Sequence, residues 1–173
     1  MKKIYIVLTY TGTVLSKLIK IYTGKEYSHV SIALDSNLKY MYSFGRLNPY
    51  TPIFAGFVHE KIDEGTFKRF KKTKCKVYSL EIEESKYEKL EKVIEEIQKN
   101  KSTYRFNTIG LLSVALNVKV KRERHFYCAE FVKYVLEQSQ VLQLPEVIKP
   151  ADYEEVQGIN EIYRGLLQEY KGN

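Results

Sequence analysis

"YSHVSIALD" (27–35) alternates along its length. Val30, Ile32 and Leu34 fall on one face, and His29, Ser31 and Ala33 on the other. That is a strand with one large apolar face and one small or polar face. "SNL" turns the chain, and "KYMYSFGR" (39–46) reads as its hairpin partner. Within that partner Ser43 alternates with Met41 and Gly45, opposite Tyr40, Tyr42 and Phe44. The hairpin register decides whether Ser43 or Tyr42 shares the face of His29, and sequence alone does not fix it.

Other elements follow on both sides. "KIYIVLTY" (3–10), "IFAGFVHEKI" (53–62) and "KCKVYSLEI" (74–82) are β-branched or aromatic runs that read as strands, with a basic connector between the last two. "LNPYTP" (47–52) reads as a loop. "TVLSKLIKIYTG" (13–24) has helical periodicity and a glycine stop. "ESKYEKLEKVIEEIQKN" (84–100) carries Tyr87, Leu90, Ile94 and Ile97 on one stripe, with Glu88–Lys92 and Glu95–Lys99 as i,i+4 pairs. "NTIGLLSVALN" (107–117) reads as a more buried helix. "CAEFVKYVLEQS" (128–139) is helical, with Phe131, Val132, Val135 and Leu136 on one face. Asp152 is a candidate N-cap after Pro150, and "GINEIYRGLLQEY" (158–170) reads as a closing helix. There is no internal repeat or linker. The expectation is a single domain over 1–173, an α+β fold with an antiparallel sheet packed against helices.

Hydrophobic content of 44% and charged content of 28% suit a globular chain with its own core. The net charge is +7, concentrated in 61–76 with seven Lys/Arg and 119–125 with four. Such runs serve solvated loops and strand edges unless a binding motif accompanies them. None does, so nucleic acid is not an expected partner. Two cysteines and three histidines show no CxxC or HExxH spacing, so no metal and no cofactor are expected. The apolar run from Ile4 to Leu8 is shorter than the roughly 7–15 residues of a secretory core. No stretch approaches the ~20 apolar residues of a membrane span. The resulting expectation is a cytoplasmic protein without a transmembrane segment.

The chemistry centres on Cys128. It shares the inward stripe of its helix, which suits a small packed hydrophobe. It also stands in the helix's first turn, where free N–H groups and the dipole stabilise a thiolate and an oxyanion. A nucleophilic cysteine needs a base within reach. His29 is the best placed, because Ser31 and Ala33 on its face leave room for a helix end. His125 lies in a charged segment, and His59 in "FVHEKI" reads as solvent-facing. A third group should orient the imidazole; Ser43 and Asn48 are the candidates. Tyr127, next to the nucleophile, and Asn48 are candidate substrate contacts.

"YSHVSIAL" followed about a hundred residues later by "FYCAEFV" resembles the circularly permuted branch of the NlpC-type, papain-like cysteine hydrolases, to which lecithin retinol acyltransferase-like proteins are related. The resemblance spans roughly 1–155. It implies a permuted papain-like fold with the nucleophile, Cys128, at a helix N-terminus and His29 as base. It also implies a long polar third residue on the next strand, where this sequence offers only Ser43. The function so implied is an amidase- or peptidase-type thiol acyl transfer on a small peptide, amide or acyl-ester substrate. The alternative is a catalytically weak binding module that keeps the cleft for a ligand or partner.

Overall fold

The computed structural model describes residues 1–114, 118, 120 and 122–172. The elements in chain order are β1 (Lys2–Tyr10), α1 (Val14–Thr23), β2 (His29–Ala33), β3 (Met41–Asn48), β4 (Thr51–Glu60), α2 (Gly65–Arg69), β5 (Lys74–Ile82) and α3 (Glu84–Lys99). Then come β6 (Arg105–Phe106), α4 (Thr108–Val114), β7 (His125–Phe126), α5 (Cys128–Gln138) and β8 (Asn160–Leu166). Six strands form one antiparallel sheet in the order β4-β3-β2-β1-β5-β8. The expected α+β architecture, a sheet packed against helices with the His29 strand inside it, is therefore present.

The period of two along each strand divides the core into two layers. Ile4, Ile6, Leu8, Val30 and Ile32 point to the face covered by α3 and α5, where Leu90, Ile94, Phe131 and Val135 meet them. Burying each such side chain contributes about 1.5–3 kcal/mol. Val7, Ala33, Met41 and Val77 point the other way, under Phe67 of α2 and Leu167 and Tyr170 near the C-terminus. His29 and Ser31 belong to this second face, since Thr9 pairs with His29 and Val7 with Ser31.

The β2–β3 register pairs Ile32 with Tyr42 and Ala33 with Met41. Ser43 and Gly45 thus share the face of His29, and Tyr42 takes the other. Pairing stops there, although β1 follows β2 all the way to His29 and β3 runs on to Asn48. From Ser31 toward His29 the two strands part, and the sheet is split between them.

Several expectations need correction. Within 158–170, Asn160–Leu166 form a strand, β8, followed by a 3-10 turn at Leu167–Glu169, because the edge of β5 offers unpaired backbone that this segment completes. Leu47 and Asn48 extend β3 and Thr51 opens β4, leaving Pro49 and Tyr50 as the turn. Asp152 is not an N-cap: it lies inside the 3-10 turn Pro150–Glu155 and accepts the Lys149 N–H at 2.8 Å. The connector between β4 and β5 contains α2. Helix α4 is less covered than its sequence suggests, with Ile109 exposed; residues 115–117 of that expected helix lie outside the described residues, as do 119 and 121 of the second basic run. In the first run, Lys61 pairs with Glu64, Lys74 with Glu26 and Lys76 with Glu154.

Candidate active site

Cys128 is the first residue of α5, and its position is fixed from three sides. Tyr127 donates its phenol O–H to Ile148 O at 2.9 Å, and the buried Tyr153 donates to Ala129 O at 2.8 Å. Glu130 accepts the Tyr127 N–H at 3.3 Å. Asn107 is wholly buried; its amide donates to Glu130 Oε2 at 3.1 Å, and its Oδ1 accepts the Gly110 N–H at 2.9 Å. The segment around 148–153 and the start of α4 therefore clamp the helix end.

An open cleft of about 700 Å³ lies at the split in the sheet. Ser28 and His29 line one side, Phe44, Gly45 and Arg46 the other, and Cys128 and Glu60 also reach it. Cys128 is buried overall but faces this space, so packing on the inward stripe and access to a cleft coexist. The imidazole of His29 comes from the opposite face of the sheet, and at the split it lines the same cleft as Cys128.

Glu60, the last residue of β4, completes the group. His29 Nε2 lies 3.0 Å from Glu60 Oε1, and Ser31 Oγ donates to Glu60 Oε2 at 2.5 Å. The His29 and Glu60 side chains are only 21% and 10% exposed, so solvent screens them little. Strand β3 lies between β2 and β4, and beyond Met41 the residues it presents on this face toward His29 are Ser43 and Gly45. Their small size leaves the path over β3 open. A Cβ on Gly45 would stand 3.2 Å from His29 Cε1 and 3.4 Å from Glu60 Oε1.

Burial alone would lower the pKa of His29. The Glu60 carboxylate and Cys128 together outweigh it, and the value rises to about 10. Glu60 shows the reverse balance. Burial would raise it, but the charge and hydrogen bond of His29 and the Ser31 hydroxyl hold it below the usual carboxylate range. The other cysteine, Cys75, is fully buried under β8, and burial pushes its thiol up to about 12.

The structure thus brings Cys128 and His29 together, and adds Glu60, which sequence reasoning missed. Ser43 sits beside the Glu60 carboxylate and adds to the field that lowers it, yet its buried Oγ makes no hydrogen bond of good geometry and does not touch the imidazole. Asn48 is exposed at the end of β3, where its Oδ1 accepts the Tyr50 N–H at 2.8 Å, and Tyr127 is a buried brace; neither lines the cleft. His59 stacks on Tyr42 with centroids 4.9 Å apart, and its Nε2 meets Lys39 O at 2.6 Å. His125 Nδ1 meets Glu123 O. Among the described residues no group of three or more His, Cys, Asp or Glu side chains is placed to hold a metal ion. No helix among them is long and apolar enough to cross a membrane.

No protein-family model and no curated protein matches the chain. Among solved structures it is similar to yiiX from Escherichia coli O157:H7, described as a metalloprotein of DUF1105. That likeness covers 95% of this chain and 98% of that one, at 13% identity and a TM-score of 0.59, and it establishes the fold alone. These findings overturn the resemblance to the permuted NlpC-type family, since the structural neighbour belongs to a different one. The two short motifs record a strand histidine and a helix-start cysteine. That is a local geometry, and it does not carry a family across an otherwise unmatched sequence.

Proposed function

We propose that this chain is a cysteine hydrolase acting by thiol acyl transfer on an amide or ester, with Cys128 as nucleophile, His29 as base and Glu60 as the group that orients and charges the imidazole. The fold it implies is papain-like in one sense: a thiol at a helix start faces a histidine on an antiparallel sheet. The observation that carries the reading is His29, held between the Cys128 sulfur and the Glu60 carboxylate at the split.

Glu60 occupies Nε2, which leaves Nδ1 to serve the sulfur. With Glu60 beside it His29 is an imidazolium at neutral pH, and it holds the proton while the Cys128 thiolate attacks the substrate carbonyl, forming a C–S bond. The oxyanion lies against the free N–H groups at the start of α5. As the C–N or C–O bond breaks, His29 returns its proton to the leaving group. Water then attacks the thioester, His29 takes the water's proton, and the thiol leaves with it as the acid is released. A purely binding use of the cleft rested on the weakness of Ser43 as third residue, and Glu60 removes that ground.

The test is acyl-enzyme trapping with p-nitrophenyl acetate. A burst of nitrophenol with one acetyl group on Cys128, detected by peptide mass spectrometry and absent in Cys128→Ser, is expected. Absence of a thioester on Cys128, with His29→Ala behaving as the parent protein, refutes the assignment.

A further inference from the structure

Two arginines, one of them lining the cleft, gather around Phe70 with no acidic partner among the described residues. Arg46 of β3 lines the cleft, half-buried, and donates from Nη2 to Thr13 Oγ1 at 2.8 Å. Its guanidinium carbon lies 5.9 Å from the centre of the Phe70 ring. Arg69, the last residue of α2, lies 5.5 Å from the same ring and 4.2 Å from that of Tyr50. Both cations therefore gather around one phenylalanine. Neither forms an ion pair among the described residues. The carboxylates nearest to Arg46 are engaged elsewhere: Glu60 with His29, and Glu64 with Lys61 at 2.8 Å.

Two guanidinium groups held close, one of them partly desolvated, repel each other unless an anion lies between them. Burial and the like charge of Arg69 both lower the pKa of Arg46, which is the sign of an uncompensated pair. Cation–π contacts with Phe70 and Tyr50 restrain both guanidinium groups, and the N–H groups beyond the one Arg46 gives to Thr13 match the oxygens of a carboxylate or phosphate.

We infer that Arg46 and Arg69 form an anion-recognition site beside Cys128, and that the substrate is an amide or ester carrying a carboxylate or phosphate group at a distance from the bond that is cleaved. The inference rests on the reading of Cys128 as nucleophile for its link to catalysis, but the anion site itself does not.

Two probes test it. N-iodoacetyl-4-aminobutyrate is anionic, and its primary amide is neutral with the same reactive end. The ratio of their alkylation rates at Cys128, at constant ionic strength, is expected to exceed that of a free thiol. It should fall by about tenfold in Arg46→Gln and in Arg69→Gln, the loss of one charge-assisted contact. Arg→Lys variants, which keep charge without the fork, should recover only part of the ratio. A ratio unchanged within about twofold in the Arg46→Gln/Arg69→Gln double variant overturns the site.

Titration with inorganic phosphate, followed through the arginine Nε–H resonances, does not depend on thiol chemistry. Shifts of both resonances with a slow neutral probe leave the anion site standing and refute the nucleophile. No shift of either resonance refutes the site. Cosedimentation with phosphatidylglycerol vesicles separates the sources of the anion: binding that phosphate competes away and the two Gln variants lose assigns it to a lipid headgroup, whereas phosphate binding without vesicle binding assigns it to a soluble substrate.

Discussion

Replacing Glu60 by Gln removes one charge and leaves the side-chain volume almost unchanged. His29 Nε2 and Glu60 Oε1 are 3.0 Å apart. At an effective dielectric of about 20, opposite unit charges at that distance attract by about 5 kcal/mol. The rise of His29 from 6.5 to about 10 corresponds to about 5 kcal/mol as well, at about 1.4 kcal/mol per pH unit. The first figure is the gross attraction, and the second is the net value left after Glu60 and Cys128 together overcome burial. In Glu60→Gln burial becomes the dominant influence, while the Cys128 contribution remains. The His29 pKa, followed by imidazole NMR, should fall by at least about two pH units. The imidazolium that favours the thiolate is then lost at neutral pH. Alkylation of Cys128 by iodoacetamide at pH 6 should slow by about tenfold or more. Cys75, sealed under β8, serves as an unreactive internal control. A His29 titration within about half a pH unit of the parent, with unchanged alkylation, refutes the argument.

Gly45→Ala places a methyl group 3.2 Å from His29 Cε1 and 3.3 Å from Ser43 Oγ; alkylation of Cys128 should slow several-fold with a thermal midpoint near the parent's, and an unchanged rate counts against the open path over β3. The His29–Glu60 pair also sets a pH profile of stability. His29 is raised, so its contribution is full below about 6.5 and is lost as pH climbs toward about 10; Glu60 is lowered, so its contribution is full above its ordinary 4.5 and is lost at lower pH. Urea unfolding should therefore show the parent losing up to about 1.4 kcal/mol per pH unit between those two His29 values relative to Glu60→Gln, and parallel profiles refute the coupling. Asn107→Ala strands the Gly110 N–H and removes one donor to Glu130, and should cost about 2–3 kcal/mol with faster amide exchange in α4; unchanged exchange there would remove the clamp.

That Cys128 and His29 would meet at one cleft was legible because each carries a local signal. Alternation sets His29 on a face of small residues, and the helical stripe puts Cys128 at a helix start. Glu60 was not legible, because its place depends on a bulge. At the turn Asn48 pairs with Thr51, a register that would set Glu60 opposite Lys39. The irregularity between Arg46 and Asn48 shifts the pairing by two, so that Met41 faces Glu60. Two residues are about 7 Å along a strand, enough to bring the carboxylate into reach of His29. The alternation Val58–Glu60 on the face of Ser43 was the one available sign. The C-terminal segment misled for a different reason. Ile162, Leu166 and Tyr170 satisfy helical spacing, and only the open edge of β5 converts the segment into a strand.

The split between β2 and β3 also bears on when the thiol becomes reactive. Cys128 arrives with the helical layer and His29 with the opposite layer, and the two are separated by 128 − 29 = 99 residues of chain. Closing so long a loop is an entropic cost that only the completed core repays. A nascent, nicked or partly unfolded chain therefore carries two ordinary thiols. On the proposed reading the pairing of Cys128 with His29 forms only with the native core, so a Cys128 labelling rate that depends on His29 would report the native state more strictly than secondary structure does.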